Sequence, residues 1–511
     1  MSNLYTLFKE RFPKDLSQNF IETKEGKRYS YHDLTLTTSA IANTMQNAGV
    51  KKGDRIIFQV HKSPEAIFLY LACLKLGAIS VPLNTAYTAA ELSYFLDDIE
   101  PALVVCDPES PILTEQLLSK RTKMTLLTLD KQGKGTLIEN TIAKNNAQVI
   151  AILGEDEIAC ILYTSGTTGK PKGAMITHGN LASNALTVHQ SWGFNEEDIL
   201  LHSLPIFHVH GLFVALNCVL LSGTSMIFLS QFDVNDVVEC LPKTTVLMGV
   251  PTFYTRLLSH PNFIKKTVEN MRLFISGSAP LLKEVSDMFY TRTGHRILER
   301  YGMSETVMIS SNPLNGERLP GSVGPALPGI TVRITTDDGR VLGENETGNI
   351  EVSGPNVFKG YWRKPDKTKE EFTNDGFFKT GDVGFLNEHR YLTIASRSKD
   401  LIISGGYNVY PKEIEIIING LENINESAVI GVPHPDFGEA VLAVVVLDEA
   451  NDKDIDESKL IMTLKQQLAA YKVPKRIFQI DELPTNVMGK IQKNVLRDQY
   501  QNVFKKKIMN E

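Results

Sequence analysis

The stretch "YTSGTTGKPKG", residues 163–173, follows the apolar run "EIACIL" and leads into a second apolar run, "AMIT". Its glycines, its Ser and Thr hydroxyls and its lysines supply backbone N–H groups and cations that can surround a polyphosphate. The spacing differs from that of the Walker A loop, because Gly166 and Gly169 are three residues apart and Pro171 follows Lys170. The loop alone leaves two interpretations open: a phosphate-binding turn, or a hairpin that joins two strands.

Apolar strands alternate with amphipathic helices on both sides of this loop. "RIIFQV" at 55–60 and "AISVPL" at 78–83 indicate strands before the loop, and "TVLMGV" at 245–250 and "MRLFIS" at 271–276 indicate strands after it. Strands that are apolar throughout are typical of parallel sheets covered by helices on both faces. The expected fold class is therefore α/β, with a large N-terminal domain of doubly wound sheets.

The pattern changes beyond Asn312. Short segments between Gly, Pro and Asp turns indicate a small β unit, and a stretch of mixed strand and helix order begins near "SRSKD" at 396–400. We predict that residues 1–397 form the N-terminal domain and that residues 398–511 form a small, mobile α+β C-terminal domain.

Composition excludes several classes of function. The chain has 511 residues and a net charge of −6, which argues against a general nucleic-acid binder. Its five cysteines are widely spaced, so we expect reduced thiols and a cytoplasmic location. The N-terminal residues have no long apolar core, so no secretory signal is expected.

The most apolar window, residues 210–229, is interrupted by polar residues and predicts a buried helix, a turn and a strand, without stable membrane insertion. A monomer and a homodimer both remain open.

Six motifs occur in a fixed order along the chain. They are the loop at 163–173, "GSAP" (277–280), "YGMSET" (301–306), "TGD" (380–382), "SRSKDLIISGGYN" (396–408) and "VMGKIQKN" (487–494). With these motifs, essentially the whole chain resembles the adenylate-forming enzymes, which include acyl-CoA synthetases, peptide-synthetase adenylation domains and firefly luciferase. The resemblance implies two steps: a carboxylate attacks the α-phosphate of ATP to give an acyl-adenylate and pyrophosphate, and the thiol of CoA then displaces AMP.

The resemblance also implies which residues bind the nucleotide. Because an anion approaches a polyanion in the first step, cations and oriented donors must offset the repulsion. Glu305 would help to hold Mg²⁺, Tyr301 would stack on adenine opposite a wall formed by 277–279, and Asp382 would accept from the ribose hydroxyls. The full expected set is Thr164, Ser165, Gly166, Thr167, Thr168, Gly169, Lys172, Gly277, Ser278, Ala279, Tyr301, Gly302, Ser304, Thr306, Asp382 and Arg397.

The C-terminal motifs imply the remaining steps. Lys490 would bridge the acyl carboxylate and the α-phosphate during adenylation, and Lys399 lies at the position of the family's hinge. After rotation of the C-terminal domain about that hinge, the hairpin containing Ser404, Gly405, Gly406 and Tyr407 would contact CoA.

The identity of the acid depends mainly on Arg300. Within the family, "PIFHVHGLF" at 205–213 and "RYGMSET" at 300–306 look most like the members that activate malonate. This implies that Arg300 binds the distal carboxylate and that His208 lines the pocket with a catalytic or gating role, His210 being a further candidate. The residues alone favour a different interpretation, in which Arg300 caps a strand end and pairs with Glu299 or with a surface acid.

Two other functions stay open at this point. The chain could be a synthetase for another short-chain acid, such as methylmalonate, acetate or butyrate, or an adenylation domain that loads a carrier protein. It could also be a nucleotide-binding relative that has lost catalysis, although the presence of Lys490, Glu305 and Asp382 argues against this.

Overall fold

The computed structural model describes most of the chain, namely residues 3–114, 124–140, 150–164, 171–397, 400–404, 407–434, 437–448, 455–468, 470–486 and 489–504. Two large sheets, with helices between and outside them, form most of the structure. A four-stranded sheet and a five-stranded C-terminal sheet complete it. This arrangement confirms the predicted α/β class, with a large sheet-containing part followed by a smaller α+β part.

The first large sheet has eight strands. Numbered in chain order, they are β1 (Asn19–Thr23), β2 (Arg28–Ser30), β9 (Ile199–His202), β10 (Ser225–Phe228), β11 (Val246–Gly249), β12 (Leu273–Ser276), β13 (Leu298–Tyr301) and β14 (Ser310–Ser311). Their order across the sheet is β14-β13-β12-β11-β9-β10-β1-β2. The six central strands are parallel, and the two edge strands, β2 and β14, run antiparallel to their neighbours.

The second large sheet has seven strands. They are β3 (Arg55–Gln59), β4 (Ile79–Pro82), β5 (Leu103–Cys106), β6 (Thr125–Thr128), β7 (Ile158–Thr164), β8 (Lys172–Thr177) and β17 (Gly360–Tyr361). Strands β3 to β7 are parallel, as expected, whereas β8 pairs antiparallel with β7 in the register Ile161↔Met175, which agrees with the interpretation of a hairpin that joins two strands. The stretch 163–173 therefore joins two neighbouring antiparallel strands, and only a short connection is needed.

Helices cover both faces of the two sheets. They are α1 (Leu4–Lys9), α2 (Tyr31–Asn47), α3 (Pro64–Leu76), α4 (Ala89–Ile99), α5 (Thr136–Glu139), α6 (His178–Ser191), α7 (Leu216–Ser222), α8 (Val234–Cys240), α9 (Pro251–Ser259), α10 (Lys283–Thr293) and α11 (Pro365–Glu371). Every residue of α3 is buried, because this helix lies between the two sheets in the largest core cluster. Ser63 caps its first turn and Gly77 ends it at φ 69°, so local capping matches the tertiary position.

Two smaller sheets follow in the chain. The four-stranded antiparallel sheet contains β15 (Thr331–Thr335), β16 (Gly348–Ser353), β18 (Phe378–Leu386) and β19 (Leu392–Arg397). The C-terminal sheet contains β20 (Ile402–Ser404), β21 (Tyr407–Val409), β22 (Ile424–His434), β23 (Gly438–Leu447) and β24 (Arg476–Gln479), with helices α12 (Pro411–Asn419), α13 (Glu457–Lys465) and α14 (Lys493–Tyr500). Residues 398 and 399, where we place the domain boundary, lie outside the described residues, so the boundary stays a prediction.

The apolar window at 210–229 folds as the sequence predicts. It forms a π-helix (His210–Ala215) that continues into α7, a turn at Gly223, and strand β10. No helix among the described residues is long and apolar enough to cross a membrane.

A buried ion pair joins the amino ends of three parallel strands of the first sheet. Asp198, just before β9, accepts hydrogen bonds from Arg272 Nε at 2.6 Å and from Thr245 Oγ1 at 2.9 Å. Arg272 also donates to the carbonyl oxygens of Trp192 and Gly193. Asp198 is 2% exposed, so removal of its carboxylate leaves several donors without a partner.

We therefore expect Asp198→Ala to lower the free energy of unfolding of this part by about 3 kcal/mol, as is typical when one partner of a buried pair is removed. Thermal unfolding would show a midpoint several degrees lower. Asp375→Ala is the matched control, because Asp375 also pairs with an arginine, Arg333, but its side chain is 58% exposed. The control should lower the midpoint much less, because exposed ion pairs contribute little to stability, and equal effects of the two substitutions would contradict this interpretation.

Candidate active site

The site lies where the parallel strands β11, β12 and β13 end. Ligands of open parallel sheets bind outside the carboxyl ends of the strands. Gly249 ends β11, while Gly277 and Gly302 directly follow β12 and β13. A methyl group on Gly302 would lie 1.9 Å from the carbonyl oxygen of Val307, so only glycine permits the tight turn after β13.

Arg300, on β13, is the central cation of this edge. Its side chain is buried at 3% exposure, and its Nε and Nη2 atoms have no hydrogen-bond partner among the described residues. Burial lowers the pKa of Arg300 to about 9, so the guanidinium remains charged at neutral pH. A buried cation without a counter-ion is unfavourable by itself, and the site therefore favours an incoming anion.

Glu299 does not neutralise Arg300. Adjacent residues of a strand point to opposite faces, and Glu299 Oε1 accepts a hydrogen bond from the Gly321 N–H at 3.1 Å. Burial raises the pKa of Glu299 to about 8. The interpretation that Arg300 caps a strand end and pairs with Glu299 or a surface acid is wrong for the described residues, because Arg300 is buried and forms no such pair.

Two imidazoles, the buried His210 and the partly buried His208, interact with each other, and His210 also interacts with Arg300. Burial lowers the pKa of His208 to about 4, and burial together with the charge of Arg300 lowers the pKa of His210. Both rings are therefore neutral at physiological pH. The Nε2 atom of each ring has no partner among the described residues, and His210 Nδ1 is 3.4 Å from the hydroxyl of Ser278, which adopts φ 72°. The Nε2 atoms of the two rings can therefore form hydrogen bonds with a polar ligand.

A second cluster surrounds Glu305, in the turn after β13. The carboxylate accepts hydrogen bonds from Tyr361 Oη at 3.1 Å and Thr164 Oγ1 at 3.3 Å. Burial raises the pKa of Glu305. The neighbouring Thr306 is fully buried, and its hydroxyl has no partner among the described residues. This set of oxygen atoms fits a hard divalent cation.

Lys172 lies beside the same cluster at the start of β8. Its ammonium is 4.3 Å from the centre of the Tyr361 ring and 3.4 Å from Glu371 Oε1. Tyr361 and Glu371 were not predicted as site residues, because each is an ordinary residue in its local sequence. The only available signal was the position of Tyr361 in "FKGYW", a short aromatic segment that could equally have been part of the core.

The predicted nucleotide residues Tyr301 and Asp382 come together across two sheets. The hydroxyl of Tyr301 donates a hydrogen bond to the carboxylate of Asp382, which is 3% exposed. Asp382, on β18, lies opposite Arg397 in the register with β19. The contact places the ring and the carboxylate at the junction between the first sheet and the four-stranded sheet.

Several predicted residues cannot be placed. Ser165, Gly166, Thr167, Thr168, Gly169, Lys399, Gly405 and Gly406 lie outside the described residues, as do the side chains of Arg397 and Tyr407. Gly277, Ala279 and Ser304 lie in the segments after β12 and β13, beside the residues discussed above. Their predicted roles stay predictions.

Lys490 lies in a tight turn of the C-terminal part. Its N–H donates to Asn486 Oδ1 at 3.0 Å, and Gly489 adopts φ 68°. A methyl group on Gly489 would lie 2.7 Å from Thr252 Oγ1, so this turn contacts the start of α9, just after β11. Lys490 is thereby held at the same edge of the first sheet as Arg300. Ser404, at the end of β20, is buried within the C-terminal sheet.

The comparisons with known proteins agree with this geometry. A family model described as AMP-binding enzyme matches residues 9–362, and a model of the AMP-binding enzyme C-terminal domain matches residues 413–490. The chain belongs to the AMP-binding enzyme family.

A malonate–CoA ligase from Arabidopsis thaliana is 36% identical over 94% of this chain and 86% of its own length. The mitochondrial malonate–CoA ligase ACSF3 from Mus musculus is 36% identical over 88% of this chain and 83% of its own length.

A solved structure of MatB from Rhodopseudomonas palustris resembles the whole chain. The ATP-bound form is 50% identical, covers 99% of this chain and 100% of that chain, and superimposes with a TM-score of 0.96. The apo form, at the same identity and coverage, superimposes with a TM-score of 0.84. The arrangement described here is therefore more similar to the ATP-bound form.

The cluster at Glu305 leads to a prediction about Tyr361. Tyr361→Phe removes one donor to the carboxylate, so the pKa of Glu305 should rise further and the acid limb of the activity profile should move to higher pH. If Glu305 holds Mg²⁺, the KM for Mg·ATP at neutral pH should rise roughly tenfold, which corresponds to the loss of one hydrogen bond to a charged group. Steady-state kinetics at varied Mg·ATP and pH measure both effects.

Tyr391→Phe provides the control, because the Tyr391 hydroxyl donates to the carbonyl oxygen of Glu317, at an exposed position. An unchanged KM for Mg·ATP in Tyr361→Phe would show that the hydrogen bond from Tyr361 to Glu305 does not support the metal site.

Proposed function

We propose that this chain is an AMP-forming malonate–CoA ligase. It converts malonate, ATP and CoA into malonyl-CoA, AMP and pyrophosphate through a malonyl-adenylate. Support comes from the two malonate–CoA ligases that align over most of the chain, and from the likeness to an ATP-bound structure at 50% identity.

The observation that carries this proposal is the unpaired, buried guanidinium of Arg300. Its two free N–H-bearing atoms, Nε and Nη2, lie on one edge of a planar fork that matches a carboxylate. Malonate has two carboxylates: one reacts with ATP, and the other must be desolvated in the pocket. The distal carboxylate then gains a cation, and Arg300 gains the counter-ion that the fold does not supply.

In the first step, groups of opposite charge bring the acid and ATP together. The oxygen atoms of Glu305 and Thr306 fit Mg²⁺, which when bound offsets the negative charge of the phosphates. We assign Lys490 to the bridge between the reacting carboxylate and the α-phosphate. The contact of its turn with Thr252 supports this assignment, because it holds the turn at the ends of the strands.

In the second step, the thiol of CoA attacks the acyl carbon and AMP leaves. We assign residues 404–407 to CoA and Lys399 to the hinge, with residues 398–511 moving as the C-terminal domain. The different similarity to the ATP-bound and apo forms of one relative supports the view that such enzymes adopt more than one arrangement.

We also propose a cytoplasmic location. The five cysteines are free and buried, as in proteins of reducing compartments. Cell fractionation with an antibody against the chain tests this, and recovery with an organelle or with an extracellular fraction would contradict it.

The function is tested with Arg300→Ala. The substitution leaves the distal carboxylate of malonate desolvated and unpaired, which typically costs about 3–5 kcal/mol, or roughly two to four decades in kcat/KM. Butyrate, which lacks the second carboxylate, should be affected far less. The measured quantity is the malonate-to-butyrate ratio of kcat/KM for CoA-thioester formation, in the wild type and in the variant.

Arg300→Lys is the matched variant: it keeps the charge but loses the planar fork, so it should recover only part of the malonate activity. A wild-type enzyme that uses acetate or butyrate as well as malonate would favour a monocarboxylic acid synthetase instead.

The role of Lys490 is tested by separating the two steps. Lys490→Ala should abolish adenylate formation, measured by pyrophosphate exchange, but leave thioester formation from pre-made malonyl-AMP largely intact. The reason is that the ammonium is needed only where the carboxylate meets the α-phosphate. Equal losses in both steps would exclude this role.

A further inference from the structure

Gly277 lies directly against the guanidinium of Arg300. A methyl group on the Gly277 Cα would lie 2.3 Å from Arg300 Cζ and 2.5 Å from both Nε and Nη1. Non-bonded heavy atoms do not approach each other this closely in proteins. The guanidinium therefore occupies the position that the Cβ atom of any other residue at 277 would need.

The backbone itself does not require glycine at this position. Gly277 does not adopt a left-handed φ, unlike Gly489, and its added methyl group would not meet a carbonyl oxygen of the backbone, unlike that of Gly302. Its N–H donates to the carbonyl oxygen of Gly249 at 3.3 Å, which fixes the Cα beside the sheet. The three nearest atoms to the added methyl group all belong to Arg300.

Arg300 has little room to give way. It is 3% exposed, and the buried residues Tyr254 and His210 are close enough to exchange electrostatic interactions with it. Tyr254 is fixed by its hydroxyl, which donates to the carbonyl oxygen of Ile275 at 2.6 Å. Displacing the guanidinium would therefore change its direction within the pocket and its distance from a bound carboxylate.

We propose that Gly277 is a positioning residue that sets the specificity for a dicarboxylic acid, because its missing side chain reserves the volume in which the Arg300 guanidinium lies. This inference rests on the proposed role of Arg300. It assigns Gly277 to selection of the acid, whereas the sequence motif "GSAP" places this glycine only in a wall of the adenine site. A side chain at 277 redirects the guanidinium and shifts the pocket towards monocarboxylic acids.

The test is a double-mutant cycle in the full-length enzyme. Gly277→Ala, Arg300→Ala and the double variant are compared with the wild type in kcat/KM for malonate and for butyrate, and in the KM for ATP. Gly277→Ala should lower the malonate-to-butyrate ratio at least tenfold, with a change in the KM for ATP of less than about threefold. In the Arg300→Ala background, where no guanidinium remains, the same substitution should change the ratio less than about twofold.

Gly420→Ala serves as the control for a Gly-to-Ala exchange. Gly420 ends α12 with a negative φ of −83°, and its added methyl group would lie 3.5 Å from the carbonyl oxygen of Ile416, an ordinary van der Waals contact. The kcat/KM of Gly420→Ala should match that of the wild type with both malonate and butyrate. Thermal unfolding gives a second readout: the double variant should be at least as stable as Gly277→Ala, because the contact with the guanidinium has been removed.

Three results would overturn the proposal. One is an equal loss of activity with both acids, another is a raised KM for ATP with an unchanged ratio, and the third is an undiminished effect in the Arg300→Ala background. Failure of the proposed function gives a different result, because Arg300→Ala alone would then leave the malonate-to-butyrate ratio unchanged.

Discussion

A buried arginine without a counter-ion is the interaction around which the site is organised. Isolated charges inside proteins are costly, and folded proteins normally pair them. Arg300 is buried on β13, next to the edge strand β14 of the first sheet, yet two of its nitrogen atoms have no partner among the described residues. The unfavourable free energy of burying this unpaired guanidinium is offset only when an anion binds. The same arrangement lowers the pKa of the free arginine and is the basis of the proposed selectivity for an acid with a second carboxylate.

Strand β13 carries the residue that we propose binds the acid next to the residue that we propose binds the nucleotide. Arg300 points to one side of the strand, towards Gly277 and His210, while the next residue, Tyr301, contacts Asp382 on the four-stranded sheet. This follows from the alternation of side chains along a strand. The turn that begins at Gly302 then places Glu305 beside Thr164 and Tyr361. A short segment thus carries the groups that we propose for the acid, the nucleotide and the metal.

Local sequence patterns predicted the strands and the positions of the motifs, because apolar runs are local signals. Strands β3 and β12, expected from "RIIFQV" and "MRLFIS", are examples. Contacts between distant segments were not predictable. The contact of Gly277 with Arg300 and the hydrogen bond from Tyr361 to Glu305 join residues far apart in the chain. The antiparallel pairing of β8 agrees with the hairpin that the sequence left open, but periodicity alone could not decide it, since periodicity does not specify strand direction.

The most direct test of this account is a crystal structure of the enzyme with a non-hydrolysable ATP analogue and malonate. We expect one carboxylate of malonate within 2.7–3.1 Å of both Arg300 Nε and Nη2, the range of ordinary hydrogen bonds, and the other carboxylate directed to the α-phosphate. Malonate bound with neither carboxylate on the guanidinium, or Arg300 paired with an acidic side chain of the protein in that complex, would contradict the account.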